Sequence, residues 1–101
     1  MAGFNINRLD EAIHGRLRLG IMAYLMDAEA ADFNELKSVL EATQGNLSVH
    51  LRKLEDAGYV VISKGYQGRK PLTRVHITPE GRTAFADYLE VLASLVGDTG
   101  K

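Results

Sequence analysis

The chain has no cysteine among its 101 residues. Disulfides, thiolate metal sites and thiol redox sensing are therefore excluded. It also has no apolar run approaching the ~20 residues that a helix needs to span a bilayer. Its start, MAGFNINRLDEAIHG, is charged and lacks an apolar stretch, so it does not read as a signal peptide. A cytoplasmic protein with no membrane partner is the expectation. Internal repeats, low-complexity tracts and linkers are missing too. One domain over residues 1–101, with its core at about 10–96, accounts for the length.

An excess of charge of one sign is also absent. The formal net charge is -1, which at first speaks against a nucleic-acid partner. The distribution says otherwise. Between Thr43 and Val75 lie six basic residues, Arg52, Lys53, Lys64, Arg69, Lys70 and Arg74, against two acids, Glu55 and Asp56. That stretch is +4, which leaves -5 for the rest of the chain. A basic segment on an acidic body is the charge footprint of a local nucleic-acid site.

Apolar residues make up 46% of the chain and charged residues 25%, the balance of a globular protein. Residues 1–8 read as a tether. Ile13, Leu17, Ile21, Tyr24 and Leu25 recur at helical spacing and predict a first helix from about Leu9 to Ala28. Leu19, Met22 and Met26 widen its stripe enough to face both a core and a second chain. Glu29–Asp32 breaks the pattern. Asp32 caps a short second helix, Phe33 to Leu40, with Glu35 as its capping-box partner. Thr43 caps a third helix that runs to Ala57, with Leu47, Leu51 and Leu54 inward and Gly58 as its stop.

After Gly58 the period changes from 3.6 to 2. Tyr59–Ser63 reads as a strand, Lys64–Pro71 as a loop punctuated by two glycines and a proline, and Leu72–Ile77 as the return strand. Leu72, Arg74 and His76 fall on one face of that strand, and Thr73, Val75 and Ile77 on the other. Thr78 caps a last helix with Pro79 at its first position. It runs to about Val96 with an apolar stripe of Phe85, Tyr88, Leu89, Leu92 and Leu95 or Val96. Gly97–Lys101 reads as a frayed end. The fold class is α+β, mostly α: three helices, a β-hairpin wing and a C-terminal helix, the winged helix-turn-helix plan.

At about 100° per residue, the third helix turns Gly45, Asn46, Val49, Arg52, Lys53 and Asp56 away from its leucines. A solvated face would carry similar residues. Two features favour a DNA groove. Gly45 has no side chain to prevent close approach, and Asn46, Val49 and Arg52 suit base edges, Arg52 guanine and Asn46 adenine. Gln44 and Ser48 flank that face, and Thr43 with the free N–H groups of the helix start suits a phosphate. Lys64, Arg69, Lys70 and Arg74 belong to the hairpin. Basic tips also deter strand aggregation, but beside a basic helix they read as phosphate contacts, Arg69 and Lys70 foremost.

His14, His50 and His76 are far apart and have no ligand spacing, so no metal is expected. His50, on the flank of the third helix, either touches a phosphate or packs. Tyr24, Met22 and Met26 with Phe85, Tyr88 and Leu92 read as core or subunit interface rather than as a ligand pocket, and nothing supports an effector or a cofactor. No phosphate loop, nucleophilic serine motif or histidine-rich metal motif is present, and no enzyme is expected.

The stretch FNELKSVLEATQGNLSVHLRKLEDAGYVVISKGYQGRKPLTRVHITPEGR resembles winged-helix transcriptional regulators of the MarR/ArsR group, closest to small single-domain members. The preceding IHGRLRLGIM resembles the helix that opens many ArsR-like domains. The resemblance covers roughly residues 10–96. It implies a third helix in the major groove, a hairpin tip on a neighbouring minor groove or phosphates, and a homodimer formed by the first and last helices. Metal-sensing members use cysteine or clustered histidine, which this sequence lacks, so that role is not carried over. A protein–protein adaptor without DNA affinity is the competing reading, and RNA or non-specific DNA binding a third. An adaptor would call for an acidic or apolar third-helix face, against which Arg52, Lys53 and the basic wing speak.

Overall fold

The computed structural model describes residues 5–96. The expectations for Met1–Phe4 and for Gly97–Lys101 lie outside the described residues. A short 3-10 turn, Ile6–Arg8, precedes α1 (Arg16–Ala28), β1 (Ala30–Asp32), α2 (Phe33–Val39), α3 (Gln44–Asp56), β2 (Val60–Gln67), β3 (Lys70–Ile77) and α4 (Pro79–Leu95). The sheet is antiparallel in the order β1-β3-β2. This is a mostly helical winged helix.

The first helix starts later than the periodicity implies, at Arg16 rather than Leu9. The Asp10 carboxylate accepts from the Ala12 N–H at 2.8 Å, a local turn that competes with helix. Gly15 then takes a φ of +155°, open in practice only to glycine. Ile13 and Leu17 still reach the core, because one turn and one helix start happen to keep their spacing. Further bonds tie this segment down. Tyr59 donates to Asp10, and that bond, with burial and the carboxylate's charge, pushes the Tyr59 phenol up to about 12.

Three caps stand where the sequence places them. Asp32 accepts from the Glu35 N–H at 2.7 Å, Thr43 from the Asn46 N–H at 3.1 Å and Thr78 from the Gly81 N–H at 2.9 Å. The Glu35 carboxylate differs from expectation: it accepts from the Tyr24 hydroxyl. Leu36 from α2 and Leu47, Leu51 and Leu54 from α3 are buried together with Leu17, Ile21, Met22 and Leu25 of α1. Val60, Val75, Phe85, Tyr88 and Val91 complete the core from the sheet and α4.

Two corrections concern the sheet. Ala30–Asp32, expected only as a break, is a strand paired with Arg74–His76. Its two alanines and aspartate carry no β signature; the pairing is dictated by β3, and Ala31 is small enough to be buried against the core. The second concerns Lys64–Pro71, expected as a loop. It belongs to the strands, which pair continuously from Val60 opposite Ile77 to Gln67 opposite Lys70. The connection is only Gly68-Arg69, with Gly68 at a φ of +64°, the pattern of a type II′ turn. Gly65 and Pro71 are tolerated because that part of the hairpin is exposed and β1 covers β3 only at Arg74–His76.

Candidate nucleic-acid interface

α3 is held by its leucine face and offers the rest to solvent. Gln44, Gly45, Asn46, Ser48, Val49, Arg52 and Lys53 are all exposed, and Val49 is an apolar residue 55% exposed at the centre of that face. Thr43 uses an oxygen lone pair on the Asn46 N–H, which leaves its hydroxyl proton free for an outside acceptor. A Cβ on Gly45 would meet nothing within 4 Å. Nothing among the described residues therefore requires glycine there.

The hairpin projects beside α3. Over its eight residue pairs it extends about 25 Å, at roughly 3.3 Å per residue. Between the two elements lies a groove of about 420 Å³ lined by Phe33, Gln44, Ser48, Leu51, Arg52, Glu55, Ile62, Lys64 and Thr73. It brings together Gln44, Ser48 and Arg52 from α3 and Lys64 from the wing.

Strand alternation sorts the remaining wing residues. Lys64 lies opposite Thr73, on the face shared with Ile62 and Val75 that looks to α3. Arg74 lies opposite Ser63, on the other face with His76, next to Asp32 of β1. The structure thus separates Arg74 from the groove. Arg69 is in the turn, and Lys70 pairs with Gln67 at the tip.

The cations differ in their partners, and besides those of α3 and the wing only Arg8, Arg16 and Lys37 lack a side-chain partner among the described residues. Arg18 and Arg82 are committed to the protein: Arg18 bonds backbone carbonyls and His50, and Arg82 bonds the Met26 carbonyl and lies 3.9 Å from Glu29. Arg52, Lys53, Lys64, Arg69, Lys70 and Arg74 have neither a hydrogen bond nor an ion pair among the described residues. All six side chains are exposed.

Two features escaped the sequence reading. Tyr66, 75% exposed, shares the Lys64 face near the wing tip; a residue expected in a loop has no strand face to be assigned to. The contact between Arg18 and His50 joins residues 32 apart in sequence and left no local signal. The Met22, Phe85 and Tyr88 side chains are buried, with Tyr24, Met26 and Leu92 packed against the same core. Leu89 of α4 is 46% exposed, and Val96, its C-cap, 69% exposed. The described residues include no cluster of groups able to hold a metal ion and no helix long and apolar enough to cross a membrane.

Residues 17–96 match the family described as winged helix DNA-binding domain. The chain is 39% identical over 79 residues to an uncharacterised protein of Methanocaldococcus jannaschii, covering 78% of this chain and 86% of that one. Among solved structures, a transcriptional regulator homologue from Pyrococcus horikoshii OT3 superposes with a TM-score of 0.83 and 33% identity, over 91% of each chain. A protein of Enterococcus faecalis V583 described as a MarR-family transcriptional regulator gives a TM-score of 0.68 and 30% identity, over 82% of this chain and 74% of that one. The chain belongs to the winged-helix DNA-binding domain family, with MarR-family transcriptional regulators as its structural neighbours.

Proposed function

We propose that this protein is a sequence-specific, double-stranded DNA-binding transcriptional regulator that acts as a homodimer. α3 enters the major groove with Gly45, Asn46, Val49 and Arg52 toward the bases. Thr43, Gln44, Ser48 and Lys53 meet base edges or phosphates at its margins. The wing carries Lys64, Arg69 and Lys70 to a neighbouring minor groove or its phosphates. Arg74 belongs to the same basic segment but, from the far face of the sheet, contacts only DNA that curves around the wing.

The observation that carries the reading is the set of six exposed cations without a side-chain partner that cluster on α3 and the wing, whereas Arg18 and Arg82 of the body are bonded internally and the remaining described cations, Arg8, Arg16 and Lys37, are scattered over separate elements. Exposed cations gathered on one side of a near-neutral protein set up a positive potential that is complementary to a polyanion. The dimer reading rests on α4, whose Leu89 and C-cap residue Val96 are uncovered while α1 spends its apolar width on its own core. Two copies joined there would set two recognition helices about 34 Å apart, one turn of DNA, and read a pseudo-palindromic site.

Selection of binding sites from a random duplex pool, with wild type and with Arg52→Ala, tests this. Wild type is expected to enrich a two-fold symmetric sequence. Arg52→Ala is expected to lose about 1–3 kcal/mol of discrimination at one position per half-site. Enrichment of no sequence by the wild type contradicts the reading.

A further inference from the structure

Arg18, in the first turn of α1, grips the segment before it. It donates to the carbonyls of Ala12 and His14, both at 2.8 Å. Its Nη1 lies 2.7 Å from Nδ1 of His50 on α3. A guanidinium has donors and no acceptor. Nδ1 must then be the acceptor, and a neutral ring carries its proton on Nε2. Burial first, then the charges of Arg18 and Lys53, hold the imidazole below its usual 6.5 and favour that neutral ring.

The Nε2–H has no hydrogen-bond partner among the described residues. His50 is half-buried, yet no side-chain nitrogen or oxygen of a non-exposed residue is both sealed from solvent and unpaired. Nε2 is therefore open to solvent. By helical position His50 lies on the flank of α3 with Asn46 and Lys53, opposite the Ser48 and Glu55 flank that lines the groove under the wing. An oriented neutral donor beside two cations is complementary to an acceptor that carries negative charge and has no proton to give.

We propose that His50 donates its Nε2–H to a DNA backbone phosphate on the side of α3 away from the wing, with Arg18 as the positioning residue that locks the tautomer. The proposal rests on the DNA-binding reading above. It gives α3 a phosphate contact on each side of the groove, a basic one from the wing and a neutral one from His50.

A neutral donor leaves a signature that a cation does not: it strengthens binding without releasing a counterion, so it leaves the salt slope alone. Duplex binding is measured by fluorescence anisotropy across a salt series, for wild type, His50→Ala and His50→Gln, with thermal melts to confirm folding. The imidazole tautomer is read by long-range proton–nitrogen NMR on the free protein. His50→Ala is expected to weaken binding to all sequences by about tenfold, the scale of one hydrogen bond to a charged group. The slope of log affinity against log salt should stay at the wild-type value. His50→Gln, whose amide restores a donor at similar reach, should recover most of the loss even if the alanine variant folds poorly. The free ring should carry its proton on Nε2.

Unchanged affinity in folded His50→Ala overturns the proposal. So does a slope shallower by about one unit, which would mean a cationic contact, a loss confined to one base pair, or a proton found on Nδ1. Wild type that binds no duplex overturns the DNA-binding reading itself. Wild type that binds while His50→Ala is unaltered overturns this proposal alone.

Discussion

Two glycines on helices of this protein, Gly81 and Gly45, stand in opposite surroundings. A Cβ on Gly81, in the first turn of α4, would sit 2.3 Å from the Tyr59 carbonyl oxygen. Backbone cannot swing aside as the end of a side chain can, and the Thr78 hydroxyl and N–H fasten the same corner to Gly58 and Tyr59. Helix propensity alone favours alanine by about 1 kcal/mol. We expect Gly81→Ala to destabilise by about 2–3 kcal/mol instead, the scale of overpacking. A melt should show a midpoint lower by about 10 °C or more, and an unchanged or higher midpoint would contradict that packing. The Gly81 constraint is invisible in sequence, where the same residue reads as part of a Thr-Pro-Glu-Gly helix start. The caps Asp32, Thr43 and Thr78 are visible because a cap is a property of one side chain and the N–H three residues on.

Among the elements, α3 was the most legible. Leu47, Leu51 and Leu54 fix its buried face, and a fixed buried face also fixes the face presented outward. Gly45 on that outward face has nothing of the protein near it. Gly45→Ala should therefore leave the melting midpoint equal or slightly higher while duplex affinity falls at least severalfold, measured by anisotropy. Equal affinity would mean that α3 does not approach DNA closely at that point. The wing and α1 were less legible. Gly65 and Pro71 suggest a loop only if a strand must be buried, and these strands are exposed over most of their length. The start of α1 was misread because Ile13 keeps helical spacing with Leu17 across the turn that Asp10 and Gly15 impose. β1 left no trace, since three small residues pair only because β3 arrives beside them.

On the scale of the whole molecule, the near-zero net charge conceals a division between an acidic body and a basic segment of α3 and the wing. That division was readable as a run of charges. Its geometry was not: strand alternation puts Lys64 toward α3 and Arg74 away from it. The proposed dimer is likewise a property of surface left over after the core is filled, here the exposed Leu89 of α4 and Val96 at its C-cap. Leu89→Glu should convert a sedimenting dimer to monomer while keeping the fold, and a wild-type monomer at micromolar concentration would remove the two-fold reading of DNA. If the protein binds DNA as proposed, the exposed cations of the wing meet phosphates. The most direct measurement is duplex affinity across a salt series for wild type and Arg69→Ala/Lys70→Ala. The wild type should show steep salt dependence, and the double variant weaker binding to every sequence alike with a slope reduced by about one unit for each cation removed. Identical affinities and slopes for the two proteins would contradict those phosphate contacts.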